Sequence, residues 1–185
     1  MSNIKETEVV KLSPQYTLTI EIYDQGDDYW ETSRGVVTDA SGEVLFDIRR
    51  NHYNFWHTFV HHPNGNDYLL CGENYQGYNV VNLTTQVNHA YICDGADTGF
   101  GFCWVEAEPS PNRSLLRVTG CIWGFPYQTL VFDFSDPDQP LREVYDDKAE
   151  YHGYKPVWTS DTELTFTEDE VQLSPVKKTV RVRVK

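Results

Sequence analysis

The sequence predicts an all-β fold, an antiparallel meander of about four like-built repeats, and three observations carry that reading. Segments rich in β-branched and aromatic residues alternate at period two along most of the chain. Glycine, proline and acidic clusters punctuate those segments at short intervals. One spacing also recurs: Trp56 and Trp104 stand 48 residues apart (104 less 56), and so do Pro63 and Pro111.

Taken in order, Tyr16-Thr17-Leu18-Thr19-Ile20-Glu21-Ile22-Tyr23 is a strand with one apolar face. Gly26-Asp27-Asp28 turns the chain into a second strand over 29–38, and Asp39-Ala40-Ser41-Gly42 connects that to a third over 43–48. Further strands fit 54–61, 68–71, 78–83, 88–93, 102–106, 114–119, 127–134, 141–145, 157–159, 163–167 and 179–184. Pro63, Pro111, Pro137, Pro140 and Pro175 fall at junctions, where a missing N–H breaks no ladder. Only 146–150 suggests a helix, and it is short with no apolar stripe. The segments 7–12 and 179–184 are complementary, one mildly acidic and the other basic. Pairing them would place both termini in one sheet and cap exposed edges.

The internal similarity is detailed. Trp56 leads to Pro63-Asn64-Gly65-Asn66-Asp67-Tyr68-Leu69-Leu70, then a Gly-rich hairpin and Val80-Val81-Asn82-Leu83. Trp104 leads to Pro111-Asn112-Arg113-Ser114-Leu115-Leu116, another hairpin and Val131-Phe132-Asp133-Phe134. Trp158 opens a shortened copy and Ser13-Pro14 a degenerate one, giving repeats at 7–50, 53–94, 102–147 and 155–185 of a single domain, 1–185. A period near 40–50 residues holding four short strands is the scale of a propeller blade. These segments resemble the blades of WD40-like β-propellers, in which a turn of the form Ser-Pro-Asp-Gly precedes a strand of small and apolar residues. The resemblance is specific at 56–83 and 104–134. It implies a small or partial β-propeller, whose blades bury their faces only by stacking. A two-layer β-sandwich with fortuitous spacing is the alternative.

Composition excludes several classes. With 39% hydrophobic and 14% aromatic residues the 185-residue chain is too apolar for disorder, and it has no collagen-like glycine period. No apolar run reaches the roughly 18 residues that span a bilayer. A net charge of −13 argues against direct nucleic-acid binding, which needs clustered Lys and Arg. The opening Met1-Ser2-Asn3-Ile4-Lys5-Glu6 lacks a signal-peptide pattern, so the expected setting is cytoplasmic. Cys71, Cys93, Cys103 and Cys121 form no CxxC pair and sit among apolar residues, as reduced, buried thiols do. The sequons at Asn82 and Asn112 would matter only after secretion.

Candidate chemistry is sparse. His57 and His61 share one strand face about 13 Å apart, too far for one zinc ion. There is no G-x-S-x-G elbow, phosphate loop or H-E-x-x-H motif, and no cofactor is implied. The acidic pairs lie in turns. More informative are two tips, Gly72-Glu73-Asn74-Tyr75-Gln76-Gly77-Tyr78 and Gly120-Cys121-Ile122-Trp123-Gly124-Phe125-Pro126-Tyr127, which occupy equivalent places in two repeats. Both mix glycine with aromatics where a hairpin needs only Asn-Gly or Asp-Gly. If the repeats stack, both tips reach one rim, and the candidate binding residues are Glu73, Tyr75, Tyr78, Trp123, Phe125, Tyr127 and His57. The competing account folds these aromatics back over the core. The sequence thus favours a non-enzymatic module for a protein or peptide partner, with no membrane role. Alternatives are a hydrolase using an acidic residue and a histidine near the rim, and an acidic nucleic-acid mimic or inhibitor.

Overall fold

The computed structural model describes residues 3–26, 29–124, 126–148, 155–167 and 177–182. The first sheet contains β1 (Asn3–Lys11), β2 (Tyr16–Asp24), β3 (Thr32–Asp39) and β4 (Val44–Arg50). The second contains β5 (Thr58–His61), β6 (Asp67–Cys71), β7 (Gly77–Asn82) and β8 (Val87–Ile92). The third contains β9 (Cys103–Pro109), β10 (Leu115–Cys121), β11 (Tyr127–Asp133) and β12 (Arg142–Asp146). The fourth contains β13 (Lys155–Trp158), β14 (Glu163–Thr167) and β15 (Lys177–Arg181). All pairings are antiparallel and strand order follows chain order, so each sheet is a meander and none closes into a barrel.

The sheets stack face on face in chain order, and strand alternation assigns side chains to the interfaces. Leu18, Ile20, Val37 and Ile48 of the first sheet meet Leu69, Cys71 and Val81 of the second. The intervening Tyr68, Leu70 and Val80 point the other way, onto Leu116, Val118, Leu130 and Phe132 of the third. Leu115 and Val131 then face Leu164, Phe166 and Val182 of the fourth. The middle sheets are thus covered on both faces, and every residue of β7 is buried. The end sheets each keep a polar outer face. Arg34 pairs with Asp47 and Glu21 on one, and Arg181 with Glu163 on the other. Among the described residues no apolar cluster joins the first sheet to the fourth.

Local details recur from sheet to sheet. Leu83, Phe134 and Val182 each donate their N–H to the residue that opens the hairpin, at 2.8, 2.8 and 2.7 Å. Asp39, Asn82 and Asp133 each accept the backbone N–H two residues ahead, which turns the chain out of the third strand. Trp56 and Trp104 stack at 5.7 Å within one cluster. The Thr58 hydroxyl donates to the Ala107 carbonyl at 2.6 Å and Trp158 Nε1 to that of Glu108 at 3.1 Å, so β9 ties its neighbours together. A half-buried polar lock joins the second and third sheets: Asp138 accepts from the Tyr68 hydroxyl and from Asn82 Nδ2, both at 3.0 Å. His62 donates from Nε2 to the Phe134 carbonyl at 3.0 Å.

Several expectations need correction. Among the described residues the terminal strands do not share a sheet: β1 pairs with β2 and β15 with β14, and 183–184 of the expected segment lie outside the described residues. The stack has four layers rather than the two of a sandwich. The strand expected over 54–61 begins at Thr58, and a long N-terminal strand starts at Asn3. Of the helical candidate, Asp146 ends β12 and 149–150 lie outside the described residues. All four cysteines are free thiols, Cys71 and Cys121 buried, Cys93 and Cys103 half-buried.

Stacking this close tests the backbone at Gly35, where a Cβ would lie 2.3 Å from the Phe55 ring. Gly35→Ala should lower the urea midpoint, a loss of about 1–3 kcal/mol from overpacking. Adding Phe55→Leu should return part of it, as read by the unfolding curve of the double variant.

Candidate functional site

The tip between β6 and β7 is clamped from both sides. Asn51 Oδ1, just beyond β4, accepts the Tyr75 N–H at 2.9 Å, and Gln76 Nε2 donates to the Gly99 carbonyl at 2.8 Å. Asn74 and Asn79 close the tip by accepting the N–H groups of Gln76 and Glu73, both at 2.9 Å. The tip between β10 and β11 turns through Trp123 and Gly124, with φ of 56° and 88°. Glycine adopts that backbone freely, whereas a bulky residue there costs about 1–3 kcal/mol. The Trp123 ring lies over Gly99, so close that a Cβ on Gly99 would approach it to 3.2 Å.

These constraints bring Tyr75 and Trp123, from different sheets, to a ring separation of 6.4 Å. Together with Trp30, His52, Tyr53 and Tyr127 they wall a cleft of about 480 Å³. The walls are open to water: Trp30 is 70%, Trp123 59%, Tyr53 53% and Tyr127 43% exposed. Its floor contains the buried Trp104, Cys121 and Arg50. A second cleft of about 420 Å³ adjoins it at Arg50, lined also by Ser33, Arg34, Arg49 and Glu73.

Of the residues expected at the rim, Tyr75, Trp123 and Tyr127 line the aromatic cleft, and Glu73 lines the adjoining one. Tyr78 belongs to the core instead: it stacks on Trp104 at 4.3 Å, its hydroxyl accepts the Leu141 N–H at 3.3 Å, and burial pushes its pKa up to about 12. What little of Tyr78 is exposed borders a separate cleft of about 450 Å³, with Tyr91, Phe102 and Trp104. His57 lies beside the Phe55 carbonyl, Nδ1 3.3 Å away, and lines neither cleft. Phe125 lies outside the described residues.

Trp30, Arg50, His52 and Tyr53 were not expected here. Arg50 donates from Nε to the Asn54 carbonyl at 2.8 Å and from Nη1 to those of Gly72 and Asn74 at 2.7 and 3.1 Å. Gly72 is needed for this approach, since a Cβ there would lie 2.8 Å from Nη1. Burial lowers the Arg50 pKa to about 10. Burial, and then the Arg50 charge, also hold His52 below its ordinary value; its Nδ1 accepts the Asn54 N–H at 3.1 Å and its ring lies 4.5 Å from Tyr53. Cys103 and Cys121 face each other across β9 and β10 in the cleft lining, and burial raises the Cys103 pKa. Among the described residues no group of three His, Cys, Asp or Glu could hold a metal ion. No helix among them is long and apolar enough to cross a membrane.

No family model matches the chain. The chain is similar to "Uncharacterized protein R762" of Acanthamoeba polyphaga mimivirus, 31% identical over 169 residues. The match covers 86% of this chain and spans 65% of the length of that relative. Among solved structures it is similar to "Bifunctional GH43-CE" of Bacteroides eggerthii, with a TM-score of 0.38 and 13% identity, covering 100% of this chain and 25% of that one.

The position of His52 gives the fold a pH dependence. The unfolded chain takes up this proton near 6.5 and the folded chain resists it. The stability that neutral His52 contributes is therefore complete above that value and declines as pH falls below it. Urea unfolding at about pH 7.5 and about pH 5.5 should show a smaller loss for His52→Gln than for the natural protein.

Proposed function

We propose that this chain is a non-enzymatic, cytoplasmic binding module: a single domain of blade-like sheets, a partial propeller, that holds an extended peptide segment of a protein partner across its aromatic cleft. The observation that carries the reading is the meeting of Tyr75 and Trp123 from separate sheets at 6.4 Å beside the exposed Trp30, Tyr53 and Tyr127. Leaving such rings in water forgoes burial, at about 25 cal/mol per Å² of apolar area. Clustered aromatics with polar handles are what protein and peptide interfaces concentrate. The strained Trp123 backbone supports the same reading, because strain of this kind gathers at ligand clamps. Acid–base hydrolysis would need a facing pair of groups, and no Asp or Glu is among the described residues lining the aromatic cleft. The surplus of acidic residues serves solubility in this reading rather than mimicry.

Trp123→Gly separates binding from folding, since glycine suits the left-handed backbone and the lost ring is 59% exposed. Its melting temperature should equal or exceed that of the natural protein. Immobilised natural protein should enrich discrete sequences from a displayed library of random 12-residue peptides, whereas Trp123→Gly and Tyr127→Ala should not. Equal enrichment on all three proteins, or none on any, would refute the reading; unfolding of Trp123→Gly would return the ring to the core.

A further inference from the structure

Arg50 sits where the two clefts meet and lines both. A guanidinium has five N–H donors. Three of these are used, all on neutral carbonyls: those of Asn54, Gly72 and Asn74. The other two are on Nη2, which has no acceptor among the described residues. Unlike Trp56 Nε1, Nη2 is not a sealed, unpartnered atom, so its open edge faces the clefts.

A comparison within the molecule shows how unusual this is. Arg117 is 3% exposed and Arg50 4%, so both are buried. Arg117 lies 2.8 Å from Glu106 and 2.6 Å from Glu108. Arg50 has no carboxylate within ion-pair distance among the described residues, in a chain with a surplus of 13 negative charges. A buried cation without a counter-charge has lost hydration with no coulombic return. A charge-assisted bond donated by the guanidinium to an anion restores it.

We infer that Nη2 of Arg50 receives a carboxylate oxygen of the peptide held in the aromatic cleft, an inference that rests on the peptide reading above. The charge count selects a monoanion. In the adjoining cleft Arg34 is committed to Asp47 and Glu21 and the charge of the exposed Arg49 is matched in number by Glu73, while in the aromatic cleft His52 favours its neutral form. A phosphate dianion would find no Lys and no second Arg among the described residues lining the aromatic cleft, and the net charge of the chain repels polyanions at long range. The aromatic walls would hold the side chain beside the carboxylate. That carboxylate can belong to a chain end or to an Asp or Glu side chain.

The test compares three acetylated tetrapeptides of alanine, alanine, a variable residue and tryptophan on the natural protein by calorimetry. The first has glutamine and a free carboxyl end, the second glutamine and an amide end, the third glutamate and an amide end. The Arg50 Nε–H resonance, assigned by its loss in Arg50→Lys, is followed in parallel. One or both carboxylate peptides should bind at least about tenfold tighter than the fully amidated one and shift that resonance. Arg50→Lys should erase the difference while keeping the weak amide binding. A gain with the free-end peptide alone assigns the chain terminus, and a gain with the glutamate peptide alone assigns a side chain; both support the site. Equal affinities with an unmoved resonance overturn the inference and leave the peptide reading intact. Inorganic phosphate displacing the resonance more strongly than acetate overturns it in favour of phosphate. If no peptide binds while benzoate shifts the resonance, the carboxylate site stands and the peptide reading falls. Should Arg50→Lys fail to fold, the peptide comparison on the natural protein decides alone.

Discussion

The structure depends on burying both faces of its middle sheets. An isolated two-stranded hairpin is only marginally stable in water, and the hairpins β6–β7 and β10–β11 gain support on both sides by sending alternate side chains to opposite partners. Leu69 and Leu70, or Leu115 and Leu116, are chain neighbours that belong to different hydrophobic clusters. Neither central sheet can therefore be removed without exposing two interfaces. The polar lock of Tyr68, Asn82 and Asp138 fixes the relative setting of the two where apolar contact alone would permit sliding.

Stacking in this manner brings equivalent hairpin tips to neighbouring positions, and that is how residues far apart in sequence come to share a cleft. The tips are held by groups outside their own sheets. Asn51 belongs to the loop after the first sheet, and Gly99 lies beyond the second, yet both bond the tip between β6 and β7. A cleft fixed from two sides needs little ordering when a ligand arrives, which reduces the entropic cost of binding.

Much of this was legible in the sequence, for identifiable reasons. The strands and their meander order followed from short-range alternation and turn chemistry, and the recurrent tryptophans do lie together at 5.7 Å. The one-sided character of the outer sheets was legible too, although a pairing of the termini was expected. Thr17-Leu18-Thr19-Ile20 and Glu163-Leu164-Thr165-Phe166 alternate as one-sided strands do, whereas Tyr68-Leu69-Leu70-Cys71 is continuously apolar. Those patterns mark end sheets and middle sheets. At the cleft, Tyr75, Trp123 and Tyr127 could be found because glycine-rich tips with aromatics are unusual hairpins. Tyr78 could not be separated from them, since its inward direction follows from a neighbouring sheet rather than from its own strand. His52 and Tyr53 reach the cleft through a loop, where no periodicity reports direction, and Trp30 precedes β3, which begins at Thr32 rather than at the expected residue 29.

Arg50 is the more instructive omission, because a local signal existed. On β4 it follows Ile48 by two residues and so inherits the inward face, where the pattern calls for another apolar side chain. Arg117 breaks its strand in the same way, and there the break is repaired by Glu106 and Glu108 on the neighbouring strand. At Arg50 the repair stops at carbonyl oxygens. Departures from local rules tend to concentrate where function requires them. Three lie around this one cleft: a bulky residue with positive φ at Trp123, a row of exposed aromatic rings, and a buried guanidinium without a counter-ion. A site that only filled the core would satisfy Arg50 as it satisfies Arg117. One that leaves the charge unmatched is suited to a ligand that brings the matching charge with it.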